Sequence, residues 1–183
     1  STARSAGGLR QQFSTPENIA MSQVTLELIR NLKDTFGPEA DVSFREQGYL
    51  LLASPEGEGV LEANLAVQKA SGASTVLLRP AEMRDRFPWL NTQGLAAGSF
   101  GAAGEGWLDP VSLMTLFRSS ARAAGVEVVH DRVVGLEIAG GAVRNVKLAS
   151  GNELSCGALV NAAGPWAGAL AALADIELPV EPR

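Results

Sequence analysis

Apolar positions change rhythm several times along this chain. From Thr15 to about Phe36, Met21, Thr25, Leu28, Leu32 and Phe36 recur at helical spacing and predict one helix with a mainly apolar face. Thr15-Pro16-Glu17 supplies its start: an N-cap hydroxyl, a proline at the first helical position and an acid in the first turn. Gly37-Pro38 stops it. Gly48 to Ala53 is a continuous apolar run of strand length, the pattern of a strand buried on both faces. Ser54-Pro55-Glu56 opens a second helix ending near Gly72, and Thr75–Leu78 reads as a strand. A short helix begins at Pro80 and closes at Phe87-Pro88. A β-like stretch, Gly94 to Phe100, then leads into a glycine-rich loop, Gly101 to Gly106.

The second half opens on another N-cap with proline at the first helical position, Asp109-Pro110. Its helix carries Leu113, Leu116, Phe117, Ala121 and Ala124, and Gly125 is the expected C-cap. Val126–Val129 predicts a strand. Residues 132–138 and 142–149 predict two more, joined by Gly140-Gly141 in a tight hairpin. After a turn at Ser150-Gly151-Asn152, a last buried strand ends at Ala162-Ala163-Gly164, and a helix starts near Pro165. Small residues at a strand end let something flat or anionic approach the backbone, and helix-start amides favour an anion. The same residues also serve as a tight connection that binds nothing, and on spacing alone both readings stand.

Composition narrows the classes. With 183 residues, 46% hydrophobic and 19% charged, the chain has the balance of a globular protein and length for one sizeable domain or two small ones. No apolar run reaches the roughly 18–20 residues of a membrane span. A net charge of −5 without a Lys/Arg cluster argues against a nucleic-acid partner. One Cys and one His provide neither a disulfide framework nor a zinc site, so no metal is expected. Cysteine usage suits a reducing compartment, hence the cytoplasm. His130 reads as a polar rim residue at a strand end, and Cys156 as a buried, inert thiol. The chain opens on Ser1-Thr2-Ala3-Arg4 and stops just after Leu178-Pro179-Val180, which reads as a strand beginning. The expectation is an internal piece of a longer protein.

Four segments in order carry a family resemblance. They are Ser1 to Arg10 with its Gly7-Gly8-Leu9-Arg10; Gly106-Trp107-Leu108-Asp109-Pro110 opening a helix; Gly125-Val126-Glu127-Val128 leading to Val133; and Leu159–Trp166 running on to Leu178–Arg183. With them the chain resembles the D-amino-acid-oxidase-like FAD-dependent oxidoreductases, the family of glycine and sarcosine oxidases. Gly7 to Ile19, Gly48 to Ser54, Phe87 to Asn91 and Glu105-Gly106-Trp107 resemble one subgroup, the FAD-dependent oxidoreductase-domain proteins linked to respiratory complex I assembly. The chain looks like a bacterial relative of that subgroup. The resemblance implies an α/β (α+β mixed) fold. Residues 1–42 and 106–177 would form part of a FAD-binding dinucleotide domain. Residues 43–105 and 178–183 would form part of an antiparallel-sheet substrate domain. The family's glycine-rich pyrophosphate turn is absent from this sequence. Its first two strands would lie between the 126–129 and 158–162 strands, leaving open edges that invite a homo-oligomer.

The resemblance also implies roles. The backbone of Val133 would touch the adenine. Ala162, Ala163 and Gly164 would pass along the adenosine diphosphate, with Trp166 covering that edge. Ser1 and Thr2 would reach the pyrophosphate. Arg10 would bind a substrate carboxylate, for which a planar, permanently charged fork is suited, and a plain salt bridge is its ordinary alternative. No catalytic residue is assigned. FAD would be non-covalent in the intact protein and absent from this fragment, because His130 and Cys156 do not match the family's attachment positions. Two functions follow. One is oxidation of a small amine or amino acid at its C–N bond, by hydride transfer to flavin. The other is a flavin-containing assembly or binding protein for respiratory-complex subunits. In either case the isolated fragment would be inactive.

Overall fold

The computed structural model describes residues 5–180 and divides into two compact units, Ser1–Val126 and Glu127–Arg183. In the first unit, the helix expected from Thr15 to Phe36 is interrupted. Helix α1 spans Pro16–Arg30 and α2 spans Leu32–Phe36. Asn31 leaves helical geometry (φ −104°, ψ 27°), and its side-chain amide donates to the Glu27 carbonyl at 3.0 Å. A side chain that engages a backbone carbonyl one turn back competes with helix continuation. The Thr15 hydroxyl makes no cap hydrogen bond, contrary to expectation. Pro16 and Glu17 mark the start instead, through a fixed φ and a favourable charge.

Strands β2 (Tyr49–Ala53), β3 (Thr75–Leu78) and β4 (Ala97–Gly101) form an antiparallel sheet in the order β2-β4-β3. Phe100 pairs with Leu50 on one side and Val76 on the other, and Ser99 pairs with Leu51 and Leu77. The central strand β4 is buried throughout, but β2 is an edge strand and Leu52 is 44% exposed. The run at 48–53 is therefore not buried on both faces as expected. Helix α3 (Glu58–Ala70) follows a short 3-10 turn, and α4 (Pro80–Arg86) covers the face that carries Phe100 and Leu78. There Met83 is fully buried, and a Cβ on Gly98 would come within 2.5 Å of its sulfur. Phe87 meets Phe100 edge-on at 5.3 Å between ring centroids.

A second core joins Leu9 of β1 (Gly8–Leu9), Leu26 and Ile29 of α1, Leu32 of α2, Val42 and Leu108. Strand β1 pairs with β5 (Gly106–Trp107), so segments nearly a hundred positions apart meet in one ladder. Helix α5 (Pro110–Ala123) is capped as expected: Asp109 accepts from the Val111 N–H at 2.9 Å and from the Ser112 hydroxyl at 2.6 Å.

The second unit is a meander of β6 (Val133–Ala139), β7 (Ala142–Leu148) and β8 (Glu153–Ser155), all antiparallel. Gly140 and Gly141 take φ +61° and +74°, the left-handed pair that a two-residue hairpin turn demands. A 3-10 turn at Gly164–Trp166 leads into α6 (Ala167–Ala172), so the helix expected at Pro165 starts late. The strands expected at 126–129, 158–162 and 178–180 do not form ladders among the described residues. Val126 is 54% exposed and Val160 is 85% exposed. A strand exists only with a hydrogen-bonded neighbour, and these segments have apolar sequence without one. The described sheets are antiparallel and the fold mixes helices with them, as expected.

Candidate functional site

Two cavities are bordered by candidate residues, one in each unit: Arg10 in the first, and Val133, Ala163 and Trp166 in the second. In the first unit Arg10 follows β1 and borders an open cavity of about 250 Å³, shared with Phe13, Asn18, Met21 and Ser22. Its guanidinium carbon lies 5.6 Å from the Tyr49 ring centroid, a cation–π distance. Arg10 itself is exposed, whereas the two residues after it are buried. The Gln11 side-chain amide donates to the Gly104 carbonyl at 3.1 Å, and that of Gln12 donates to the Tyr49 carbonyl at 2.9 Å.

Beneath this segment sits Glu105, 1% exposed. One carboxylate oxygen accepts the Gln11 backbone N–H at 2.7 Å, and the other accepts the Gln12 side-chain amide at 2.7 Å. Burial pushes the Glu105 carboxyl up, and these donors and the nearby Arg10 charge only partly offset that. The carboxyl group occupies the space where a side chain at Gly101 would stand, 2.2 Å from the ideal Cβ. Nearby, the Gly104 N–H and Arg30 hold Glu46 below the ordinary carboxylate range. Ser22 carries no special mark in the sequence, and Glu105 enters it only within the Glu105-Gly106-Trp107 segment, with no role of its own. The only cue is an acid set between two glycines, opposite a Gln-Gln pair, and distance along the chain hides that pairing.

In the second unit a cavity of about 560 Å³ is bordered by Val133, Ala163, Trp166, Leu170 and Leu173, with Asp131 and Arg132 at its polar side. Val133, Ala163 and Trp166 thus border one cavity. Ala162 and Gly164 flank Ala163 in the chain but do not border the cavity. Asn161 ties this turn down: its carbonyl oxygen accepts the Ala163 N–H at 3.2 Å and its amide donates to the Ala167 carbonyl at 2.9 Å. Gly164 has φ +57° and open space around its missing Cβ, so backbone conformation rather than crowding calls for glycine there. The Ser150 hydroxyl, followed by the Arg132 N–H, lowers the Asp131 carboxyl. Ser1 and Thr2 lie outside the described residues. His130 is exposed and Cys156 is half-exposed rather than buried.

A match to the family model for FAD dependent oxidoreductases (DAO) extends over residues 1–183, and the chain belongs to that family. It is 37% identical to FAD-dependent oxidoreductase domain-containing protein 1 of Xenopus laevis, over all of this chain and 43% of that protein. The chain therefore spans less than half the length of such curated relatives. Among solved structures, L-proline dehydrogenase from P. horikoshii superposes with a TM-score of 0.81 at 29% identity, over 96% of this chain and 46% of that one. Glycine oxidase from Geobacillus kaustophilus superposes equally well, with a TM-score of 0.81 at 21% identity over 99% of this chain and 50% of that one. The curated FAD-dependent oxidoreductase domain-containing relatives are animal proteins, so they give no support to the bacterial origin expected from the sequence.

FAD is the group this family implies, and the lining of the second cavity is compatible with a purine. The aliphatic side chains and the Trp166 ring make walls suited to a flat purine. Val133 borders the cavity at the start of β6, and Arg132 and Asp131 set opposite charges at its rim.

Proposed function

We propose that this chain forms part of a flavoenzyme that binds FAD non-covalently and oxidises a small amine or amino acid at its C–N bond. The observation that carries the reading is the cavity shared by Val133, Ala163 and Trp166. Its lining falls wholly within residues 106–177, which with 1–42 would form the FAD-binding part, while residues 43–105, with 178–183, would form the substrate part. FAD, when bound, supplies the hydride acceptor. The chain's own residues bind and orient. Val133, Ala162, Ala163, Gly164 and Trp166 would hold the adenosine diphosphate, with Ser1 and Thr2 towards the pyrophosphate. Arg10 would fix the substrate carboxylate at the mouth of its cavity, where the fork is exposed and backed by Tyr49. An amine that loses hydride from the carbon beside nitrogen becomes an iminium ion, which sheds its N–H proton to give an imine, and water then converts the imine to a carbonyl compound and a free amine.

The test is spectroscopic. The full-length gene product is purified, its bound flavin quantified, and sarcosine, glycine and L-proline are added without oxygen. Bleaching of the flavin band by one of them is the expected result. A full-length product without flavin ends the reading. Flavin that is retained but never bleached favours the assembly-protein alternative, which co-purification with respiratory-complex subunits then tests.

A further inference from the structure

The carbonyl of Arg10 and the N–H of Gln11 belong to one peptide group, and side chains grip it at both ends. The Ser22 hydroxyl donates to the Arg10 carbonyl at 2.5 Å, and Glu105 accepts the Gln11 N–H at 2.7 Å. The two grips come from opposite directions in the chain, one from α1 and one from the loop between β4 and β5. Glu105 also takes the Gln12 amide, whose other bond is to the Tyr49 carbonyl, and the Tyr49 ring lies under the Arg10 guanidinium. Peptide, acid, amide and ring thus form a closed circuit around one exposed cation.

We infer that Glu105 and Ser22 are positioning residues that clamp the Arg10–Gln11 peptide so that Arg10 meets a substrate carboxylate in a fixed orientation. This rests on the carboxylate role proposed for Arg10. A buried carboxylate is expensive to keep, and an ordinary loop would be held by a neutral residue. Glu105 is buried and spends both oxygens on consecutive residues directly after Arg10. Hydrogen bonds to a charged acceptor are stronger than neutral ones, so the charge gives a stiffer hold on the peptide. A stiff backbone matters because a bidentate contact tolerates little misplacement. Gly101 fits the same scheme, since any side chain there would displace the carboxyl group.

The experiment uses the full-length flavoprotein with Glu105→Gln, Ser22→Ala and Arg10→Met. The readout is the ratio of kcat/KM for L-proline to that for pyrrolidine, its counterpart without the carboxylate. Loss of orientation lowers this ratio about tenfold in E105Q and S22A, mainly through KM, and further in R10M. General loosening of the fold lowers both substrates together and leaves the ratio alone. Hydrogen exchange of residues 9–13, measured on the same proteins, should quicken in E105Q and S22A. If R10M lowers the ratio but E105Q and S22A do not, the clamp is overturned and the carboxylate role of Arg10 stands. If R10M leaves the ratio unchanged, the carboxylate role itself fails and the clamp's purpose fails with it. Should E105Q not retain flavin, S22A, a smaller change, decides by the same ratio. Unchanged exchange at 9–13 in both variants also overturns the clamp.

Discussion

Glu105 and Gln11 are 94 positions apart in the chain and joined by a 2.7 Å hydrogen bond. That contact closes the first unit, because it ties the segment after β1 to the loop that leads into β5, its ladder partner. The carboxyl of Glu105 has been carried out of water to make it, and its raised pKa records the cost.

Stability should therefore depend on pH in a particular sense. The folded Glu105 holds its proton more tightly than the unfolded chain, whose carboxyl titrates near 4.5. Its contribution is full below that value and is lost as pH rises through the folded pKa. Glu46 and Asp109 are lowered in the fold, so their contribution is present above their unfolded values and lost as pH falls through the folded ones. Melting scans of wild type and E105Q separate these effects. The melting temperature of wild type should fall relative to E105Q as pH is raised from 4.5. Parallel curves would show that Glu105 titrates normally.

Gly101→Ala should destabilise the first unit by about 1–3 kcal/mol, because the new methyl displaces the Glu105 carboxyl and strands two buried donors. Gly59→Ala is the control. It lies in α3 with nothing within 4 Å of the new Cβ, and alanine there should be neutral or stabilising by up to about 1 kcal/mol. Urea melts of the two variants give the comparison.

The two N-caps should part company. Asp109→Ala loses real bonds to Val111 and Ser112 and should lower the melting temperature clearly. Thr15→Ala removes a hydroxyl that makes no cap bond and should change little. Equal losses in thermal melts would mean that Thr15 caps in solution.

Met83→Ala removes a fully buried side chain packed with Leu78 and Phe100. A loss of about 2–5 kcal/mol is expected, with the spread set by how far Phe87 and Leu90 close the gap. Chemical denaturation measures it.

Trp166→Ala opens the second cavity on its aromatic side. In the full-length protein, the fraction of flavin retained through gel filtration should fall severalfold, since stacked aromatic area contributes about 1–3 kcal/mol to holding a base. Retention equal to wild type would remove Trp166 from the cradle.

The sequence by itself determined the elements that rest on local physics. Pro80 and Pro110 start helices at their fixed φ, Asp109 caps, and Gly140-Gly141 turns the hairpin, because each works through neighbours a few positions away. The resemblance carried by its ordered segments also pointed to the family. Tertiary structure decided what depends on distant partners. Val126–Val129 and the segment before Gly164 have strand composition yet make no ladder among the described residues, since a ladder needs a neighbour that local pattern cannot provide. Asn31 broke a helix that periodicity ran straight through. Glu105 looked like one more loop acid until folding brought it under Arg10, because burial and pairing are properties of the packed chain and not of any stretch of it.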